Sequence, residues 1–346
     1  MSLPLPPHFF STPPLSVNKH AYLLEVSERT CTNTALNALA MAASPPVKIV
    51  EHPATKRRAQ LHYGTDVIDS SLYALTGTSQ IKATEEELID FFYLTTPEKT
   101  QTYSDVVGQT ILDRVTLHCL ADGSVDASSA FIYAGAQWSA ITCPFLSQSL
   151  TVKRDMCFLE VLNTITVTDP ATGLTRRGLV RAMHSVVLDC CPSLRASHNL
   201  FRSTLVRSGH VFLETDEPGF YDHYYTHVVA DPGSVPKYLN LKNAQRIVGQ
   251  MLNLEYHLAL QRLPSALLAG KPRPPYKLTH DITYCEACDT KFNMLRSKHH
   301  CYICRQVVCS TCIHVYNVPL PREPQGIRVE VCTYCFCGNS ARFGTV

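Results

Sequence analysis

No stretch of this sequence reaches the roughly 18 consecutive apolar residues that a membrane-crossing helix needs. Its start, Met1-Ser2-Leu3-Pro4-Leu5-Pro6-Pro7, lacks the basic opening of an export signal and puts prolines where the apolar helix would sit, so no secretory leader is expected. Charge of one sign is nearly absent. The 31 Lys+Arg against 29 Asp+Glu leave +2 over 346 residues, which removes the global electrostatic signature of a nucleic-acid binder. Charged residues are scarce at 17%, and there is a single tryptophan. Hydrophobic residues, at 45%, still supply a core, so wholesale disorder and fibrous architectures are excluded, and the length suits about two domains.

Cysteine is abundant, and its placement matters more than its number. Of 15 cysteines, nine lie between Cys285 and Cys337 and six are scattered before them. A secreted disulfide scaffold would be short and would carry an export signal. Clustered cysteines without such a signal point to metal in a reducing, cytoplasmic compartment. The charge is divided too: residues 271–346 carry ten Lys/Arg and five Asp/Glu, while the rest of the chain is net negative.

Residues 1–18 are rich in Pro and Ser and read as a disordered tail. A helix is expected between Asn18 and Ala43, ended by Pro45-Pro46. Thr84 followed by Glu87 is a capping box, and Leu88, Phe91 and Phe92 give the helix behind it an apolar face. From 111 to 230 the pattern is mainly of long strands. Over Cys157–Val167 it suggests a sheet with one better-buried face. Asp169-Pro170-Ala171-Thr172-Gly173 and Asp216-Glu217-Pro218-Gly219 supply turns. A long helix then places Leu241, Ala244, Ile247, Val248, Met251, Leu254 and Leu258 at three-to-four spacing.

A curved antiparallel sheet with a long C-terminal helix can close on that helix or leave a cavity. Residues 19–263 resemble the START lipid-binding domains. Trp138 in a strand, Lys153-Arg154-Asp155 entering the next, Arg181 beyond it and Asp231-Pro232-Gly233 with Pro236 before the last helix carry the resemblance. It implies an α+β helix-grip fold whose cavity takes one hydrophobic lipid ligand. Arg181 and Glu160 then have two readings, a pair facing the cavity and a structural ion pair, the second being the simpler. No nucleophile, base and orienting partner occur in a recognisable context, so no catalysis is expected.

Residues 264–280, with four prolines and several basic residues, read as a linker to a second domain over 281–346. There, four C-x2-C pairs follow: Cys285/Cys288, Cys301/Cys304, Cys309/Cys312 and Cys332/Cys335, separated by 12, 4 and 19 residues. Each pair can occupy two corners of a zinc tetrahedron, giving two four-cysteine sites and two zinc ions, with Cys337 left over. Spacing alone leaves two pairings open, sequential and cross-braced. Arg296-Ser297-Lys298-His299-His300-Cys301, followed by Val308-Cys309-Ser310-Thr311-Cys312, resembles the FYVE zinc finger, whose pairing is cross-braced. The resemblance implies recognition of phosphatidylinositol 3-phosphate on endosomal membranes. Lys298, His299, His300, Arg296 and Asp281 would face the headgroup, and Met294 and Leu295 would enter the bilayer. It also exposes departures. Ser297 and Tyr302 stand where the family motif has basic residues, Glu330 stands where its third motif has arginine, and Leu278 stands where it opens with tryptophan.

The leading expectation is therefore a cytoplasmic protein peripheral to endosomal membranes. Its finger would bind a phosphoinositide or other anionic surface, and its first domain would hold or transfer a lipid. The alternative is a FYVE-related interaction module that binds a small GTPase, with little headgroup recognition. A ubiquitin-linked RING reading is disfavoured because all eight ligand positions are cysteine, and no nucleic-acid partner is expected.

Overall fold

The computed structural model describes residues 3–126, 128–142, 153–230, 237–268, 275–276, 278–320 and 323–338. Contacts divide the chain into two compact units, Met1–Val50 with Arg58–Met251, and Glu51–Arg57 with Leu252–Val346.

The first unit opens with helix α1 (Val17–Ala42), whose N-cap Ser16 accepts from the Lys19 amide. Strands β1 (Lys48–Glu51), β2 (Arg58–Thr65) and β3 (Tyr73–Lys82) precede helices α2 (Glu85–Phe92) and α3 (Pro97–Val107). Then come β4 (Ile111–Asp122), β5 (Tyr133–Ile141), β6 (Arg154–Thr168), β7 (Thr175–Ser185), the short α4 (Arg195–His198), β8 (Phe201–Arg202), β9 (Ser208–Glu214), β10 (Phe220–Val229) and α5 (Lys237–Gly249). The strands form one sheet in the order β1-β2-β3-β10-β9-β7-β6-β5-β4, with β8 beside β6. Every paired strand whose register is defined runs antiparallel except β8 on β6. The expected capping box is formed, with the Thr84 and Glu87 side chains each accepting from the other's backbone amide.

Helices cover both faces of this sheet, which corrects the expectation of one better-buried face. Leu23, Cys31, Ala35 and Ala38 of α1 pack in one cluster with Trp138, Leu159, Val161, Val180 and Leu213. On the opposite face Phe92 of α2 lies 5.8 Å from Phe212, and Ala244 and Val248 of α5 pack with Leu61 and Leu75. Two helical layers explain why Asp155 to Leu162 is buried at every position, whichever way a side chain points.

The reading of 1–18 as a disordered tail is also corrected. Leu5 and Phe10 are buried in the α1 cluster, the Phe10 ring lies 5.2 Å from Trp138, and the Leu5 amide donates to Asp113 at 2.6 Å. A proline-rich segment with two well-placed apolar side chains gains enough burial to be held.

The single last helix expected from periodicity is two helices. α5 ends at Gly249, glycine being a poor interior helix residue, and α6 (Leu252–Leu268) belongs to the second unit. Residues 264–268, expected in a linker, are helical despite Pro264. The element Asp231-Pro232-Gly233 with Pro236 lies outside the described residues.

Beyond α6 the second unit contains a 3-10 turn (Thr279–Asp281), β11 (Lys298–His300) paired with β12 (Val307–Cys309), the hairpin of β13 (Ile313–Leu320) and β14 (Glu323–Cys332), and α7 (Thr333–Cys337). Its core joins Ala259, Leu263 and Leu267 of α6 to Tyr316, Val329 and Phe336, with the last ring stacked on Tyr316 at 4.4 Å. The Glu51–Arg57 segment completes it. Arg57 makes a bidentate contact to the buried Glu255 at 2.8 and 2.7 Å, and the Cys337 thiol lies 3.9 Å from the Thr55 carbonyl. Among the described residues no helix is long and apolar enough to cross a membrane.

Candidate metal centres and headgroup site

The eight cysteines assemble into two tetrads, Cys285/Cys288/Cys309/Cys312 and Cys301/Cys304/Cys332/Cys335, whose sulfurs lie within 4.8 Å of one another. The pairing is cross-braced: the first pair joins the third and the second joins the fourth. A zinc ion with Zn–S bonds of about 2.3 Å requires sulfurs about 3.8 Å apart. Cys288 and Cys309 are 3.8 Å apart, and Cys304 and Cys332 are 3.9 Å apart. Backbone amides approach the thiols, Cys309 N–H to Cys285 Sγ at 3.2 Å and Cys332 N–H to Cys301 Sγ at 3.3 Å, an arrangement that suits thiolates. The donor set and spacing fit zinc. Cys337 stands apart from both tetrads, as expected.

Pairing the knuckles this way brings β11 beside β14. Met294 and Leu295 occupy the turn before β11, bounded by the Asn293–Arg296 bridge, and are 104% and 92% exposed, so neither packs beneath a metal site. Arg296 is half-buried in the bridge. Lys298 is exposed, donates to the Thr279 carbonyl at 2.6 Å and lies over the Phe292 ring. His299 lies between Ser297 Oγ at 2.8 Å and Glu330 Oε2 at 3.4 Å. His300 meets Tyr276 edge-on at 5.1 Å. Asp281 is exposed and contacts His280 at 3.1 Å. Arg305 and Tyr276 were missed by sequence reasoning. The signal for Arg305 was its place just after Cys304, where the knuckle turn takes a positive φ.

In the first unit Arg181 and Glu160 are brought together and buried. Arg114 also ion-pairs with Glu160, and Arg181 donates to Tyr103 Oη at 2.6 Å. Burial raises the Glu160 carboxyl, but Arg114 and Arg181 outweigh it and hold the group below the usual carboxylate range. Nearby, His210 and His223 share a hydrogen bond of 3.0 Å, with the His210 ring stacked on Tyr225 at 4.0 Å. Burial drives His223 down to about 3, and burial with the His223 and Arg181 charges holds His210 well below its ordinary value. Among the described residues, Nε2 of His210 has no hydrogen-bond partner. Alternation alone did not single out Arg114, Tyr103 or the histidine pair.

With this geometry in place, residues 276–340 match the family model of the FYVE zinc finger. Curated relatives match over the same module. The chain is 38% identical over 56 residues to the Lateral signaling target protein 2 homolog of Brugia malayi, covering 16% of this chain and 9% of that protein. It is 34% identical over 55 residues to RUN and FYVE domain-containing protein 2 of Homo sapiens, again 16% and 9%. The chain thus spans a tenth or less of the curated relatives it matches. A solved structure of the human StAR-related lipid transfer protein 5 is similar with a TM-score of 0.47 at 14% identity, covering 68% of this chain and 95% of that one. The segment is a FYVE-type zinc finger, preceded by a large antiparallel sheet flanked by helices.

Proposed function

We propose that this is a non-catalytic peripheral membrane protein in which the finger holds two structural zinc ions and recruits the chain to phosphoinositide-bearing, endosomal-type membranes. The observation that carries this reading is the complete exposure of Met294 and Leu295 at a turn that leads into Lys298 and the two histidines. Burial of two such side chains stabilises contact by about 1.5–3 kcal/mol each, enough only for millimolar-class adhesion. Headgroup contact must therefore contribute as well. In this reading Met294 and Leu295 enter the bilayer, and the basic and histidine residues behind them meet the phosphate layer.

The first unit, in the same reading, binds a lipid against the face covered by α2, α3 and α5. What supports it is the polar centre of an otherwise apolar face: the Arg181–Glu160 pair and the unpartnered Nε2 of His210. A second reading, a protein-interaction finger for a small GTPase, is favoured by one observation, the Glu330 carboxylate beside His299, which repels a phosphate there.

Vesicle sedimentation of the full chain separates the two. Membrane recruitment requires binding to phosphatidylcholine vesicles carrying phosphatidylinositol 3-phosphate, and its loss in Met294→Ser with Leu295→Ser. Vesicle binding that ignores this double substitution favours the interaction module.

A further inference from the structure

Three cysteines outside the metal tetrads, Cys157, Cys190 and Cys191, come together in the first unit. Cys157 lies opposite Trp138 across the β5–β6 pair, so the two side chains share a face, and both join the α1 cluster with Cys191. Cys190 packs against that cluster from the segment after β7, with its sulfur 3.7 Å from His118 Nε2. Arg202 of β8 fixes the arrangement. Its guanidinium grips the buried Asp155 carboxylate at 2.8 and 3.2 Å, donates to the Cys191 carbonyl at 3.3 Å and lies 3.7 Å from Cys191 Sγ. Asp155 precedes Cys157 by two positions on β6 and so points to the same face, where it also accepts from Trp138 Nε1 at 2.9 Å. One cation thus ties Cys191 to the stretch of strand that carries Cys157.

Burial ordinarily makes a thiol inert. Cys31 of α1 follows that rule, its thiol pushed up to about 12 by burial. Cys191 departs from it. A hydrogen bond from Cys157 and the Arg202 charge outweigh burial and hold Cys191 below its ordinary value, while the same hydrogen bond and burial push Cys157 up. One sulfur is thereby disposed to be a thiolate and its neighbour to keep a proton. The approach from solvent runs along Arg202, whose side chain is 30% exposed, and past the half-buried Cys190.

We propose that Cys157 and Cys191 are a reversible oxidation site that closes to a disulfide, with hydrogen peroxide as the oxidant. The Cys191 thiolate attacks one peroxide oxygen; the S–O bond forms, the O–O bond breaks and hydroxide leaves. Cys157 then attacks the sulfenic sulfur; the S–S bond forms, the S–O bond breaks and a second hydroxide leaves. The two thiol protons convert both hydroxides to water, so two thiols give up two electrons and one peroxide becomes two waters. The bridge ties the segment after β7 to β6 and takes from Arg202 the sulfur it faces.

The test exposes the reduced, zinc-loaded full chain to hydrogen peroxide, stops the reaction by alkylation and maps the peptides by mass spectrometry, which separates this pair from oxidation of the metal ligands. A linked peptide joining Cys157 to Cys191 is expected, reversible by dithiothreitol, with Cys191 losing its free thiol about tenfold faster than Cys31. Disulfides quench indole emission, so the fluorescence of the facing Trp138 is expected to fall as the bridge forms and to recover on reduction. In Cys157→Ser the sulfenic acid on Cys191 lacks its resolving partner and is expected to be captured by dimedone, whereas Cys190→Ser is expected to bridge as the wild type does. A wild-type map in which Cys191 stays free, pairs with Cys190 instead, or loses its thiol no faster than Cys31 overturns the proposal, and that result depends on no variant folding.

Discussion

Glu330 is the residue that sets this finger against the family pattern. It faces Val315 across the β13–β14 hairpin, and its carboxylate approaches His299 while its carbonyl accepts from the Tyr302 amide at 2.7 Å. Glu330→Arg removes a repulsive charge and adds a fork-shaped donor. The expected outcome is headgroup-selective vesicle binding tighter by about tenfold, a gain that shrinks as salt rises because the site is at the surface. Titration of vesicle binding at two ionic strengths checks it. Buried histidines make a second, pH-dependent expectation. His223 has a folded-state pKa depressed to about 3 by burial, so its neutral form is the one the fold accepts. The stability it contributes is intact above the unfolded value near 6.5 and is lost as pH falls toward 3. By pH 5 the first unit should be weaker by about 2 kcal/mol from this group alone. Trp138, the single tryptophan, is fully buried in that unit, so urea unfolding followed by its fluorescence reports the loss. His223→Gln should flatten the slope. The four C-x2-C pairs were legible in the sequence from their spacing, while the pairing between them was not, because it depends on how distant knuckles meet. The contact of Arg305 with Tyr276 was not legible either, since that ring returns from 29 residues upstream.

Local signals were legible where a short stretch dictates its own structure. The Thr84–Glu87 capping box and the turns at Asp169–Gly173 and around Gly219 are of this kind. Signals that depend on a distant partner were read less well. The buried Leu5 and Phe10 looked like part of a disordered tail because their cover comes from residues more than a hundred positions away. α6 looked like the end of the first domain and the start of a linker, yet Leu263 and Leu267 sit in the core that holds Tyr316 and Phe336. The finger's core is therefore larger than its cysteine module. Leu263→Ala in the full chain is expected to destabilise that unit by about 2–5 kcal/mol and to speed zinc release to a chromophoric chelator. Unchanged release kinetics would remove α6 from the finger's support. Breaking the buried Glu255 pair by Arg57→Ala should act in the same direction, because it leaves a carboxylate without its guanidinium.

In the proposed function a sheet covered on both faces would hold a lipid, and the finger on the same chain would recruit it to a membrane. The polar centre around Arg181, Glu160, His210 and His223 leads to an expected result from mass spectrometry of the purified full chain: a co-purifying lipid that is lost in Arg181→Met. A lipid retained in that variant at wild-type level would place the ligand elsewhere. The central proposition, however, is that Met294 and Leu295 enter the bilayer. Leu295→Trp tests it most directly, because Trp138 is buried and contributes a background that lipid cannot quench. With vesicles of phosphatidylcholine brominated on the acyl chains and containing phosphatidylinositol 3-phosphate, the emission of the introduced indole should shift to the blue and be quenched. Emission that stays at its aqueous wavelength and unquenched, while the protein sediments with the same vesicles, would contradict insertion.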